Sequence, residues 1–257
     1  AAEPGTVLVS ENTHRLVENR FEWEGLGEIQ VKGVADPLRV YRPIAPRDRG
    51  GPKGGADSLP LTVDMIGREA EFHALKDGVD AVLAGRGRIA LLTGDRGTGK
   101  SFLVNELRRY FVHAVALRQG IDDDAAANDP GVGTWLVGRC RSYHQTWPFA
   151  VWVEILHDWL GTRGVTPQEE TLDRLRTEAR SLWGDEYTEY LPYLARLLSL
   201  PLEPELQDRI KHLSGEELRQ RLFHGVHAWV EALAERGPLV LVFAEMQWAD
   251  ESSLQLL

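Results

Sequence analysis

Residues 94–101 read Gly-Asp-Arg-Gly-Thr-Gly-Lys-Ser, a spacing of glycines, ammonium and hydroxyl suited to a polyanion. Gly94, Gly97 and Gly99 permit backbone turns that a Cβ would block, so successive N–H groups can converge on phosphate oxygens. Asp95, Arg96 and Thr98 contribute main-chain amides to the same loop. Lys100 adds a point charge for β- and γ-phosphates, and Ser101 offers a hydroxyl to Mg2+. A helix starting here would present the positive end of its dipole to the same anion. The implied chemistry is the holding of a nucleoside triphosphate. With a suitably placed carboxylate it extends to hydrolysis.

That carboxylate belongs at the end of a second apolar strand. Leu239-Val240-Leu241-Val242-Phe243 is such a run, and it leads into Ala244-Glu245-Met246-Gln247-Trp248-Ala249-Asp250. Glu245 is therefore the candidate general base or water-positioning residue. Asp250 has two readings: a second acid near the metal, or the N-cap of the next helix, since Asp250, Ser252 and Ser253 precede an apolar run.

These residues need strands and helices to place them. Ile89-Ala90-Leu91-Leu92, just before the glycine loop, reads as a buried strand, and Phe102, Leu103, Leu107, Tyr110 and Phe111 keep helical spacing after it. Upstream, Arg68–Ala84 sets Phe72, Leu75, Val79, Val82 and Leu83 on one helical face. Residues 119–134, with Asp122, Asp123 and Asp124, read as a mobile acidic excursion and a solvated loop. Trp135–Cys140 is a second strand, followed by helices over 148–160, 168–183 and 186–199. Ser214 and Glu217 form a capping box for a helix with apolar face Leu218, Leu222, Val226, Trp229 and Leu233, ended by Gly237-Pro238. The 239–243 run then reads as a buried parallel strand. Strands alternating with helices predict an α/β fold, a parallel sheet with flanking helices on both faces.

Residues before 61 follow another pattern. A short strand over 6–10 and a helix over 11–18, with Leu16 and Val17 facing inward, precede two extended runs, 20–32 and 38–44. Gly33 and Asp36-Pro37 between the runs predict an antiparallel hairpin. Residues 45–60, rich in Gly, Pro and Arg, read as a linker between a domain portion at 1–44 and a domain at 61–257.

The segment VLVFAEMQWADESSLQLL resembles the Walker B region of AAA/STAND-type P-loop ATPases of large bacterial signalling proteins. MIGREAEFHAL at 65–75 is similar to the segment before the first helix of the same family, and 137–161 also follows it. This resemblance, covering 61–257, implies ATP and Mg2+ as ligands, with adenine near Ile66 and Gly67. It also implies a further strand, arriving after Leu257, between the phosphate-loop strand and the Walker B strand; a piece lacking it would be poorly stable alone. Where the family carries the first of two acids this chain has Ala244, so the resemblance supports ATP binding more firmly than hydrolysis.

Residues 1–44 resemble the C-terminal end of a class III adenylate/guanylate cyclase domain, the β-rich remnant of an α/β fold. On that resemblance Lys32, beside Gly33, falls on the lysine that contacts triphosphate; as a bare residue it is equally a solvated hairpin lysine. The cyclase metal-binding aspartates would precede Ala1, so the residues here cannot cyclise alone. Together the two resemblances imply a fragment of a longer protein, an ATP-binding regulatory module joined to a cyclase that works as a homodimer or higher oligomer. A scaffold that never hydrolyses and the ATPase module of a transcriptional regulator are the alternatives.

Bulk properties narrow the partners. A formal charge of −10 argues against nucleic-acid or anionic-membrane surfaces, which need a basic face. The single Cys140 excludes an internal disulfide and fits a reducing cytoplasm, and no apolar stretch approaches a membrane span. His224 and His227 lack metal-ligand company and read as structural. Trp147, Trp152 and Trp159 read as core or interface residues of a helical layer, and Cys140 as an apolar strand position.

Overall fold

A computed structural model describes residues 7–11, 13–14, 21–29, 38–46, 67–128, 132–142, 146–162 and 166–257. Lys32, Gly33, Ile66, most of the 45–60 segment and the inner face of the 11–18 helix lie outside the described residues. The chain divides into two compact units, 1–51 and 52–257.

In the first unit, strands β2 (Phe21–Ile29) and β3 (Leu38–Pro46) pair antiparallel, as the turn chemistry between them predicts. The short β1 (Val9–Ser10) joins the far edge of β3, giving the order β1-β3-β2. The register slips between Gly25 and Gly27, and Gly27 absorbs the slip at φ 82°, which a side chain would resist. His14 stacks on Tyr41, with ring centroids 3.9 Å apart. Strand β3 runs two residues beyond the boundary expected at Ile44.

The second unit is built on a parallel pair, β4 (Thr134–Arg139) with β5 (Leu239–Ala244), in register from Thr134↔Leu239 to Arg139↔Ala244. Side chains alternate along each strand, so this ladder has two apolar faces. Trp135, Val137, Val240 and Val242 meet Val79 and Leu83 of α1 (Glu69–Leu83) and Leu107, Phe111 and Val115 of α2 (Lys100–Gln119). Leu136, Leu239, Leu241 and Phe243 face a helical layer on the other side. That layer holds α4 (Ala150–Leu160), α5 (Gln168–Trp183), α6 (Tyr187–Leu197), α7 (Pro204–Lys211) and α8 (Gly215–Arg236), numbered after a short α3 (Asp123–Asn128). Ile155, Leu156, Leu175, Leu191, Leu194, Val226 and Trp229 are wholly buried in it. The expected parallel sheet with helices on both faces is present in this reduced form.

Four expectations are corrected. Residues 86–95 form no strand: Ile89 is fully exposed and Leu91 is 87% exposed. A strand is held by its neighbour's N–H and C=O groups. Among the described residues none pairs with the 89–92 run or with the second edge of β5. For the same reason β5 is half-buried along its length, not fully buried. Asp122–Asp124 open helix α3 rather than a solvated loop: Asp122 Oδ1 accepts from Ala125 N–H at 2.6 Å, and Asp123 meets His113 Nδ1 at 3.1 Å. Trp147 stands 60% exposed while Trp152 is buried and Trp159 packs on Trp229, so only part of the tryptophan set is core.

Helix α4 lies so close to β4 that a Cβ on Gly138 would stand 2.5 Å from both Ile155 Cγ1 and Val151 O. The backbone oxygen cannot swing aside, so Gly138→Ala must push helix from strand. Overpacking of this kind costs about 1–3 kcal/mol. A denaturant midpoint unchanged by Gly138→Ala would show that the two backbones part freely.

Candidate nucleotide site

The 94–101 segment is curled. Thr98 N–H and Thr98 Oγ1 both donate to Asp95 O, at 3.4 and 2.8 Å, closing a turn over Asp95–Thr98. Gly97 and Gly99 sit at φ 85° and 86°, in the region L side chains avoid, and Gly94 at φ 151°. A Cβ on Gly97 or Gly99 would meet nothing within 4 Å. These glycines are therefore required for their backbone angles and not for lack of space. Gly99 is the N-cap of α2, whose first turn has no side-chain cap and no acid. Its leading amides keep their donors for an anion.

Lys100 folds back over this turn, its Nζ donating to Gly94 O and Asp95 O at 2.7 Å each. An ammonium has three donors, so one N–H remains. Asp95, Arg96 and Ser101 are exposed, and Thr98 is half-buried. Among the described residues no group of three His, Cys, Asp or Glu is placed to hold a metal. Ser101, the residue expected to meet Mg2+, lies in the first turn of α2, next to the loop.

The segment before α1 is tied to the loop. Arg68 Nη2 donates to Thr98 O at 3.0 Å, while Nη1 reaches Glu71 Oε1 at 3.3 Å. Gly67, next door, takes φ 77° and donates its N–H to Glu69 Oε1 at 3.0 Å. Backbone bonds from Glu69's own amide and from Gly67 hold the Glu69 carboxyl below its ordinary value. Gly67 thus adjoins Arg68, whose side chain reaches the loop. Arg68 is a residue that spacing alone missed, since its partner lies thirty positions away. The Gly-Arg-Glu spelling was the available signal.

Glu245 stands where β5 ends, in the left-handed region at φ 57°. Its Oε2 accepts from Gln247 Nε2 at 2.5 Å, and among the described residues no hydrogen bond or ion pair joins it to the 94–101 loop. The two readings of Asp250 resolve toward capping. Its carboxylate is buried and accepts from Ser253 N–H at 2.9 Å, at the start of α9 (Glu251–Leu256). It also accepts from Phe149 N–H at 2.9 Å and Ala150 N–H at 3.2 Å, at the start of α4.

The chain belongs to the AAA ATPase domain family, whose match covers residues 64–257. It is 36% identical over 110 residues to an uncharacterized protein of Rhizobium meliloti (strain 1021). That match takes in 41% of this chain and 10% of the relative, so the chain spans a small part of the curated protein it matches. No solved structure matches. No helix among the described residues is long and apolar enough to cross a membrane.

Cys140 lies beneath the Glu245 turn: its N–H donates to Ala244 O at 2.9 Å, and its Sγ is 3.9 Å from Met246 Sδ. Burial pushes its thiol up to about 11, with the charges of Asp250, Glu154 and Glu245 adding to the shift. At pH 8 such a thiol is ionised about one time in a thousand, and only the thiolate is nucleophilic. Alkylation by iodoacetamide at pH 8 should be slow in the folded chain and rapid in denaturant; equal rates would contradict the burial of this site. In the folded state the raised value favours the protonated thiol. That contribution is complete below the unfolded thiol's ordinary value of 9.0 and is lost as pH climbs toward about 11.

Proposed function

We propose that residues 61–257 bind ATP, with phosphates on the Gly94–Ser101 loop, and hydrolyse it as a regulatory module of a larger signalling protein. The observation that carries this reading is the curled loop at a helix start with no side-chain cap and no acid in its first turn, with Lys100 folded over the loop. The loop amides and Lys100 hold the β- and γ-phosphates, and Ser101 would hold Mg2+. When bound, Mg2+ neutralises charge on the phosphate oxygens as the γ-phosphoryl group leaves. Glu245 orients the attacking water and takes its proton as the new P–O bond forms and the bond to the β-phosphate oxygen breaks. Arg68 keeps the adenine-side segment, with Gly67, against Thr98.

The β2–β3 hairpin supports reading residues 1–44 as the end of a class III nucleotide cyclase domain. On this reading the ATPase module regulates a cytoplasmic cyclase, Lys32 meets the cyclase substrate, and the parent assembles as a homodimer or higher oligomer. Ala244 favours a second reading of the module, a scaffold that binds nucleotide without hydrolysis, because the strand end offers no acid ahead of Glu245.

Fluorescent ATP binding and phosphate release on the intact chain separate these readings. Lys100→Ala removes a charged donor worth about 1.5–3 kcal/mol, so affinity should fall roughly tenfold to a hundredfold. Glu245→Gln should bind normally and release phosphate at least about a hundredfold more slowly. Binding without release in the unmutated chain would establish the scaffold. Undiminished binding by Lys100→Ala would sink both readings.

A further inference from the structure

Asp250 makes more bonds than a helix cap requires. Its Oδ1 accepts from Phe149 N–H and Ser253 N–H, both at 2.9 Å. Its Oδ2 accepts from Ala150 N–H at 3.2 Å and from Ser253 Oγ at 2.5 Å. One carboxylate thus closes the first turns of two helices, α4 and α9, that lie a hundred residues apart. Ser253 is wholly buried, and its carbonyl accepts from Trp152 Nε1 at 3.2 Å, a further tie between the same two helices. An ordinary N-cap serves one helix.

The five residues before Asp250 have no slack. Trp248 N–H donates to Glu245 O at 2.9 Å, and Ala249 N–H to Met246 O at 3.1 Å, a single tight turn between strand end and clamp. Both ends of the assembly carry strain. Among the described residues three that are not glycine have positive φ, and two of them are Glu245 at 57° and Phe149 at 62°. Such backbone persists only where its surroundings over-determine it, and it gathers at functional sites. Phe149 is held through its N–H by Asp250 itself, and Glu245 through the turn that Asp250 anchors.

We propose that Asp250 is a positioning residue, whose double clamp on α4 and α9 sets the strained backbone at Glu245 and so aims its carboxylate. The proposal rests on the reading of Glu245 as the residue that orients the attacking water. Asp250 touches no reacting atom. Its action passes through main-chain geometry, so it should govern turnover and leave nucleotide affinity alone.

The test is Asp250→Asn in the intact chain, which keeps the shape but sets an Nδ2 donor against an amide donor. Phosphate release under saturating ATP, KM, fluorescent ATP affinity and thermal unfolding are measured together. The expected result is a kcat lowered at least about tenfold, with KM and affinity within about twofold. Ser253→Ala, which removes only the hydroxyl bond and leaves both helix caps, should lower kcat by a smaller factor and fold in any case. Placed on a Glu245→Gln background, Asp250→Asn should remove little further activity, because both act at one point. An unchanged kcat in Asp250→Asn, a loss of affinity parallel to the loss of kcat, or full additivity with Glu245→Gln overturns the proposal. If Asp250→Asn does not fold, Ser253→Ala decides: an unchanged kcat there rejects the proposal. Normal hydrolysis by Glu245→Gln, or no hydrolysis by the unmutated chain, sinks the underlying reading of Glu245 and this proposal with it. A Glu245-dependent hydrolysis indifferent to Asp250 sinks the proposal alone.

Discussion

The parallel ladder between β4 and β5 is the constraint on which the rest of the second unit depends. Six residues of each strand pair in register, and alternation along them sends one set of side chains toward α1 and α2 and the other toward the helical layer. The ladder ends at Arg139 and Ala244, with one more bond from Cys140 N–H to Ala244 O. Glu245 therefore begins where pairing stops, at the carboxyl ends of the strands. In open α/β sheets this is the edge where ligands bind. Asp250 completes the arrangement by tying that exit to the start of the helix packed against β4.

Glycine meets two different demands in this unit. At Gly138 the demand is space, because helix and strand backbones meet with no room for a methyl group. At Gly97 and Gly99 space is ample and the demand is torsional. The letter alone does not distinguish the two, but its context does. The repeated spacing before Lys100-Ser101 marks the second kind, while an isolated glycine inside a strand run marks a close approach.

Much of the fold is legible because it is local. The Ser214–Glu217 box is observed in both directions, Ser214 N–H to Glu217 Oε2 at 2.9 Å and Glu217 N–H to Ser214 Oγ at 3.3 Å. Helices α1, α2, α5 and α8 follow their apolar periods because a helix satisfies its own backbone. The 89–92 run shows the limit: its composition is that of a strand, but strandedness is shared with a neighbour and cannot be read from one segment. Helix α7 escaped notice because its eight residues carry a single apolar pair, Leu206 and Ile210, too short a run to stand out. The candidate site divides the same way. The phosphate loop is spelled out in eight consecutive residues, whereas Arg68 and the role of Asp250 depend on partners distant in the chain.

The second edge of β5 has a consequence for handling the protein. Among the described residues no strand pairs with it, and an open edge beside apolar side chains is a template for an extended chain that reaches it. Ile89 and Leu91, standing in water a few residues before the phosphate loop, supply such a chain on every molecule. An open edge of this kind favours self-association as concentration rises, whatever the quality of the helical packing.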